Sequence, residues 1–134
     1  TLLQHPRLSL LVLAMVALAA GCAAPPPAPP PTGLSEVMER PAERALLEGI
    51  RAYDDGQYAQ AEKALRKALA DGLQSARDRA TAHKLLAFIT CTSHRLADCQ
   101  TQFREARAAD AGFALSRSEA GHPVWGPVYR SLVQ

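Results

Sequence analysis

The sequence is 134 residues long, 48% hydrophobic and only 5% aromatic, with a formal net charge of +2. That near-balance, with no basic stripe interleaved with aromatics, excludes a nucleic-acid footprint. Scarce aromatics and the absence of β-branched runs exclude a β-rich core and leave an all-α fold built on Ala and Leu.

Arg7 precedes Leu8–Ala20, an apolar run of 13 residues. The run is too short to span a bilayer comfortably but has the length of a secretory h-region, so residues 1–21 read as a signal peptide. Leu18-Ala-Ala-Gly21-Cys22 resembles the bacterial lipobox. The resemblance implies that Cys22 becomes the lipidated first residue of the mature chain. Each buried methylene of its acyl chains then contributes about 0.8 kcal/mol to membrane anchoring. Ala23 follows the cysteine, where inner-membrane retention would place aspartate, so the expected location is the outer membrane with the soluble domain facing the periplasm. Residues 22–40 form the lipidated N-terminus and a linker. Pro25–Pro31 lacks free backbone donors and reads as a polyproline II spacer, with roughly 20 Å of reach at about 3.1 Å per residue. Thr32 to Arg40 reads as its flexible continuation, with at most a weak turn of helix.

Residues 41–134 form the expected helical domain. Leu46, Leu47, Ile50 and Tyr53 recur at helical spacing until Asp54-Asp55-Gly56 interrupts them. Tyr58, Ala61, Leu65, Ala68 and Leu69 then resume it. This predicts helices near 41–54 and 57–70 joined by a tight turn at Gly56, with Gly49 and Ala61 letting the two approach closely. Gly49, Gly56, Tyr58, Ala61, Leu65 and Ala68 resemble the tetratricopeptide (TPR) pattern, whose period is about 34 residues. A second copy follows in register. Leu86-Ala87, Leu96, Phe103 and Ala106 take the corresponding places, Cys99 replaces an alanine, His94 replaces the turn glycine, and Asp110 ends the unit. Ala68 and Ala106 are 38 residues apart, and the excess over the usual period falls in Ala70–Arg79. Helices are therefore predicted near 77–92 and 95–109. The resemblance implies an α-solenoid of two degenerate TPR-like hairpins, whose open end needs a cap.

The cap is expected from the C-terminal stretch. Phe113 and Leu115 read as anchors in an irregular connection. Pro123 suits the first position of a short helix over 123–133, with Trp125, Val128, Tyr129 and Leu132 on one face. Gly126-Pro127 stands where it could split that helix into two turns. Trp125 reads as the plug of the last repeat rather than as a partner-binding anchor.

Cys91 and Cys99 remain after the lipid site. An even pair in an oxidising compartment suggests a disulfide. Strict TPR register, however, places Cys91 about one turn past its closest approach to Cys99, and two small buried thiols are the alternative. Cys91, His94 and Cys99, with His83 or His122, have the residue types of a zinc site but no defined fourth ligand. A Cys-His nucleophile lacks a carboxylate or oxyanion donor. No phosphate loop, catalytic carboxylate pair or nucleophile elbow is present. The expectation is a protein without enzymatic activity, metal, cofactor or small-molecule substrate.

His83-Lys-Leu-Leu-Ala-Phe-Ile-x-Cys91, Cys99-x3-Phe103 and Glu119-Ala-Gly-His-Pro-Val-Trp-Gly-Pro-Val resemble a family of type VI secretion-associated lipoproteins with a TPR-like domain. The resemblance implies an adaptor, anchored to the membrane by its lipid, that binds other envelope proteins. The alternative is a pilotin-like lipoprotein for a pilus or another secretion channel. In such a fold the first helix of each hairpin lines the concave face. That face receives Leu46, Ile50 and Tyr53 from the first hairpin, and Lys84, Phe88 and Cys91 from the second. The groove around Ile50, Tyr53 and Phe88 is expected to stay open for a partner segment.

Overall fold

The computed structural model describes residues 33–134, so the expected signal peptide, the expected lipid site Cys22 and the expected spacer Pro25–Pro31 lie outside the described residues. Among the described residues there are seven helices and no strand, and no helix is long and apolar enough to cross a membrane. The protein is all-helical. The helices are α1 (Leu34–Glu39), α2 (Pro41–Asp54), α3 (Tyr58–Asp71), α4 (Ala76–Thr92), α5 (Leu96–Ala109), α6 (Arg117–Ala120) and α7 (Trp125–Val133).

α2 begins with Pro41, whose missing N–H costs nothing in a first turn. Its buried residues Ala42, Ala45, Leu46, Gly49 and Ala52 follow helical spacing and face α3 and α4. α3 returns antiparallel to it, burying Ala61, Ala64, Leu65 and Ala68. A Cβ built on Gly49 would lie 2.7 Å from Leu65 Cγ, so the close approach is made over Leu65, one turn beyond Ala61. Ala61 itself is fully buried. Gly72, with φ +93°, takes the left-handed conformation that ends α3.

Ser75 starts α4 by accepting the Asp78 N–H. From Leu85 to Cys91 every residue of α4 is buried, as expected of a helix enclosed on all sides. α2, α3, α5 and α7 all pack against it. Thr90, the buried hydroxyl there, donates to the Leu86 carbonyl at 2.7 Å. α5 returns along α4, burying Cys99, Gln102, Phe103 and Ala106.

The two hairpins turn in the same way. In the first, the N–H of Gly56 bonds the Tyr53 carbonyl and that of Gln57 bonds Ala52. In the second, His94 bonds Cys91 and Arg95 bonds Thr90. Gly56 has φ +74° and His94 φ +61°, so a histidine holds the conformation that glycine adopts most readily. α3 and α5 have the same length, 38 residues apart. The additional residues lie in Gly72–Ser75 and the first turn of α4.

The hairpins are clasped on their outer edge by ions. Arg95 makes a two-pronged contact with Glu62, at 2.8 and 2.7 Å, across 33 positions of sequence, and Arg66 binds the same carboxylate. The Arg95 hydrogen bonds, aided by Arg66, outweigh burial and hold the Glu62 carboxyl at about 2, against an ordinary 4.5. The folded-state value is the lower one, so the clasp stabilises above the unfolded value and is lost as pH falls from about 4.5 towards 2. Glu62→Gln should therefore cost about 1 kcal/mol at neutral pH, a figure discounted for solvent screening, and almost nothing near pH 2. Urea titrations of both chains at several pH values check this. A cost independent of pH would mean that the carboxylate charge is not what joins the hairpins.

After α5, Asp110–Gly112 turns the chain back. Leu115 is buried, and its N–H bonds the Tyr129 hydroxyl. Ser116 and Glu119 then form a reciprocal capping box on α6. α7 starts at Trp125 rather than Pro123, and it runs unbroken through Gly126-Pro127. Pro127 falls in the first turn, where an N–H has no helical acceptor, so no split occurs. Tyr129 packs on Phe103 and Phe113 and closes the end of the second hairpin.

Candidate protein-binding surface

The expected groove residues come from α2 and α4, which run side by side. Leu46 is buried, while Ile50 and Tyr53 are half-buried and remain at the surface. Tyr53 meets Tyr58 edge-on at 5.4 Å between ring centroids. Burial raises the Tyr53 hydroxyl above its ordinary value, with Tyr58, Asp54 and Glu119 adding to the effect. Tyr58 and Leu96, which start α3 and α5 at corresponding places, are 52% and 54% exposed.

The second half of the groove is not open. Phe88 is only 4% exposed, because Trp125 stacks on it at 4.0 Å and 16°. His122 stacks in turn on the other side of Trp125, at 3.3 Å and 3°. The indole N–H donates to the Glu119 carbonyl at 2.8 Å, which fixes the ring's orientation. Lys84 pairs with the Glu119 carboxylate at 2.8 Å and lies 5.8 Å from the Phe88 ring centroid. Burial raises the Glu119 carboxyl, but Lys84 and the Ser116 N–H outweigh it and hold the group below its ordinary value.

Covering Phe88 and closing the end of the second hairpin both fall to α7, and helical spacing allows it. Trp125 and Tyr129 are one turn apart on α7, so one helix lays the first on Phe88 and the second on Phe103.

Cys91 and Cys99 are both buried and joined in a disulfide, with their Cα atoms 5.0 Å apart. The turn at Thr92–Arg95 brings them within range. Among the described residues no three His, Cys, Asp or Glu side chains converge as metal ligands would. His83 Nδ1 lies 2.8 Å from Oε1 of the buried Gln102, bridging α4 and α5.

Glu119 and His122 are surface residues that sequence reasoning passed over as components of this face. Ser116-x-x-Glu119 carries a capping-box signature that marks Glu119. No sequence signal places His122 on Trp125, because the stack depends on how the Pro123-Val124 turn is folded. What remains accessible is a mixed face. It has Ile50, Tyr53 and Tyr58 on one side and the Lys84–Glu119 pair and the outer ring of the stack on the other. Comparison of the chain with protein-family models, curated proteins and solved structures gives no match.

Proposed function

We propose that this chain is a non-enzymatic adaptor lipoprotein of two TPR-like hairpins, anchored through Cys22 in the outer membrane and binding other proteins of an envelope secretion machine. The machine suggested by the motifs around Cys91, Phe103 and Trp125 is the type VI system. The observation that carries the reading is the equivalence of the hairpins, whose turns repeat the same hydrogen bonds at a fixed offset. Repeated helix pairs of this kind stack into extended surfaces that suit protein partners. The binding face is the Ile50–Tyr53–Tyr58 side, bordered by Glu119 and His122.

Two measurements test this. Cys22→Ser should move the chain from the membrane to the soluble periplasmic fraction, and unchanged fractionation removes the lipid anchor from the proposal. Tyr53→Ala should weaken capture of the envelope partner by about tenfold or more, the scale of an aromatic hot spot, with helicity retained. Full capture by a folded Tyr53→Ala chain removes the face. Co-purification with a secretin or pilin component instead of the type VI membrane complex moves the assignment to the pilotin-like reading.

A further inference from the structure

A second surface lies across α2 from Tyr53. Arg44, Leu47, Glu48, Arg51 and Asp55 share one stripe by helical spacing; with Met38 of α1 and Gln57 and Gln60 at the start of α3 they line a cleft of about 450 Å³, floored by the buried Ala52. Leu47 is half-buried, and the four charged residues are exposed. None of those four makes a salt bridge or a side-chain hydrogen bond among the described residues. Arg44 and Glu48, and likewise Arg51 and Asp55, stand at the i,i+4 spacing that often pairs on a helix, yet neither pair closes.

The order of these residues is self-complementary. An antiparallel copy of α2, related by a two-fold axis level with the Gly49–Ile50 peptide bond, meets the stripe charge for charge. Arg44 then faces Asp55 of the partner subunit, and Glu48 faces Arg51 of the partner subunit. Each contact occurs twice, as an isologous interface requires. Every charge finds its opposite, and the half-buried Leu47 lies beside them. A parallel copy in register would set each charge against its like.

We infer that this cleft is the dimerisation surface of the chain, and that its occupant is α2 of a second copy. The inference stands apart from the proposed partner face, since Tyr53 lies on the other side of the helix.

Charge reversal tests the register as well as the interface. The full chain should show a concentration-dependent monomer–dimer equilibrium in sedimentation. Glu48→Arg sets two arginines together at each symmetric contact and should weaken the dimer at least about tenfold, as should Arg51→Glu. The double variant Glu48→Arg/Arg51→Glu restores opposite charges and should restore the dimer. Mixing the two single variants should give a heterodimer, because each chain then carries the charge that the other lacks. Circular dichroism confirms folding. If the Glu48 and Arg51 variants misfold, Arg44→Asp and Asp55→Arg run the same test at the outer pair. A chain that stays monomeric at every concentration overturns the inference. A dimer indifferent to the single reversals overturns it too, and so does one that the double reversal fails to restore.

Discussion

Phe103→Ala is expected to lower the unfolding free energy by about 3–5 kcal/mol, a large share of what a domain of this size has. Phe103 is fully buried on α5, edge-on to Phe88 at 6.2 Å and tilted against Tyr129 at 5.4 Å. Its ring is where the second hairpin and the C-terminal segment share one core. Truncation leaves a cavity bounded by aromatic rings and by α4, which other helices hold in place on several sides, so relaxation can close little of it. Phe113→Ala, at a half-buried ring that meets Tyr129 edge-on, should cost clearly less. Denaturant midpoints of the two variants measure the difference. Equal costs would mean that Phe103 is no more central to the packing than the connection that follows it.

Loss of the Cys91–Cys99 bond is expected to cost about 2.5 kcal/mol, the chain-entropy value for a loop of this short length. The bond ties the end of α4 to the first turn of α5, beside the strained His94 turn. The corresponding places in the first hairpin are Tyr53 and Ala61, where a large and a small side chain take the place of a covalent bond. Unfolding of the wild-type chain should therefore shift markedly with reductant, and that of the Cys91→Ala/Cys99→Ala variant should not shift at all. Both sulfurs are buried, so reduction of the native state should be slow and should follow opening of the second hairpin. Rapid reduction without loss of structure would contradict the packing around them.

The two helices of the first hairpin were legible because two local signals agreed. The apolar periodicity of Leu46 to Leu69 set their faces, and Gly56 with Asp54-Asp55 set the break between them. The observed bounds differ from those expected by a residue at most. The second hairpin was legible by correspondence with the first, even with histidine at the turn. Leu34–Glu39 was harder to see, since it spans only six residues and buries none of them. The course of the last 25 residues was not legible either. Their helical face could be read from Trp125 to Leu132, but nothing local says which ring each aromatic will meet. Nor does anything local join Glu62 to Arg95, which only the stacking of the hairpins brings together. The expected open groove at Phe88 failed for that reason: its closure is a tertiary event.

Trp125 is the chain's single tryptophan, and its indole is held between the Phe88 and His122 rings. The indole emission of the molecule thus originates at a place where the C-terminal segment meets α4. Lifting that segment would move the indole from a ring stack into water and shift its emission to longer wavelength, while the four long helices kept their far-ultraviolet signal. The protein carries its own optical gauge of that movement, without any attached label.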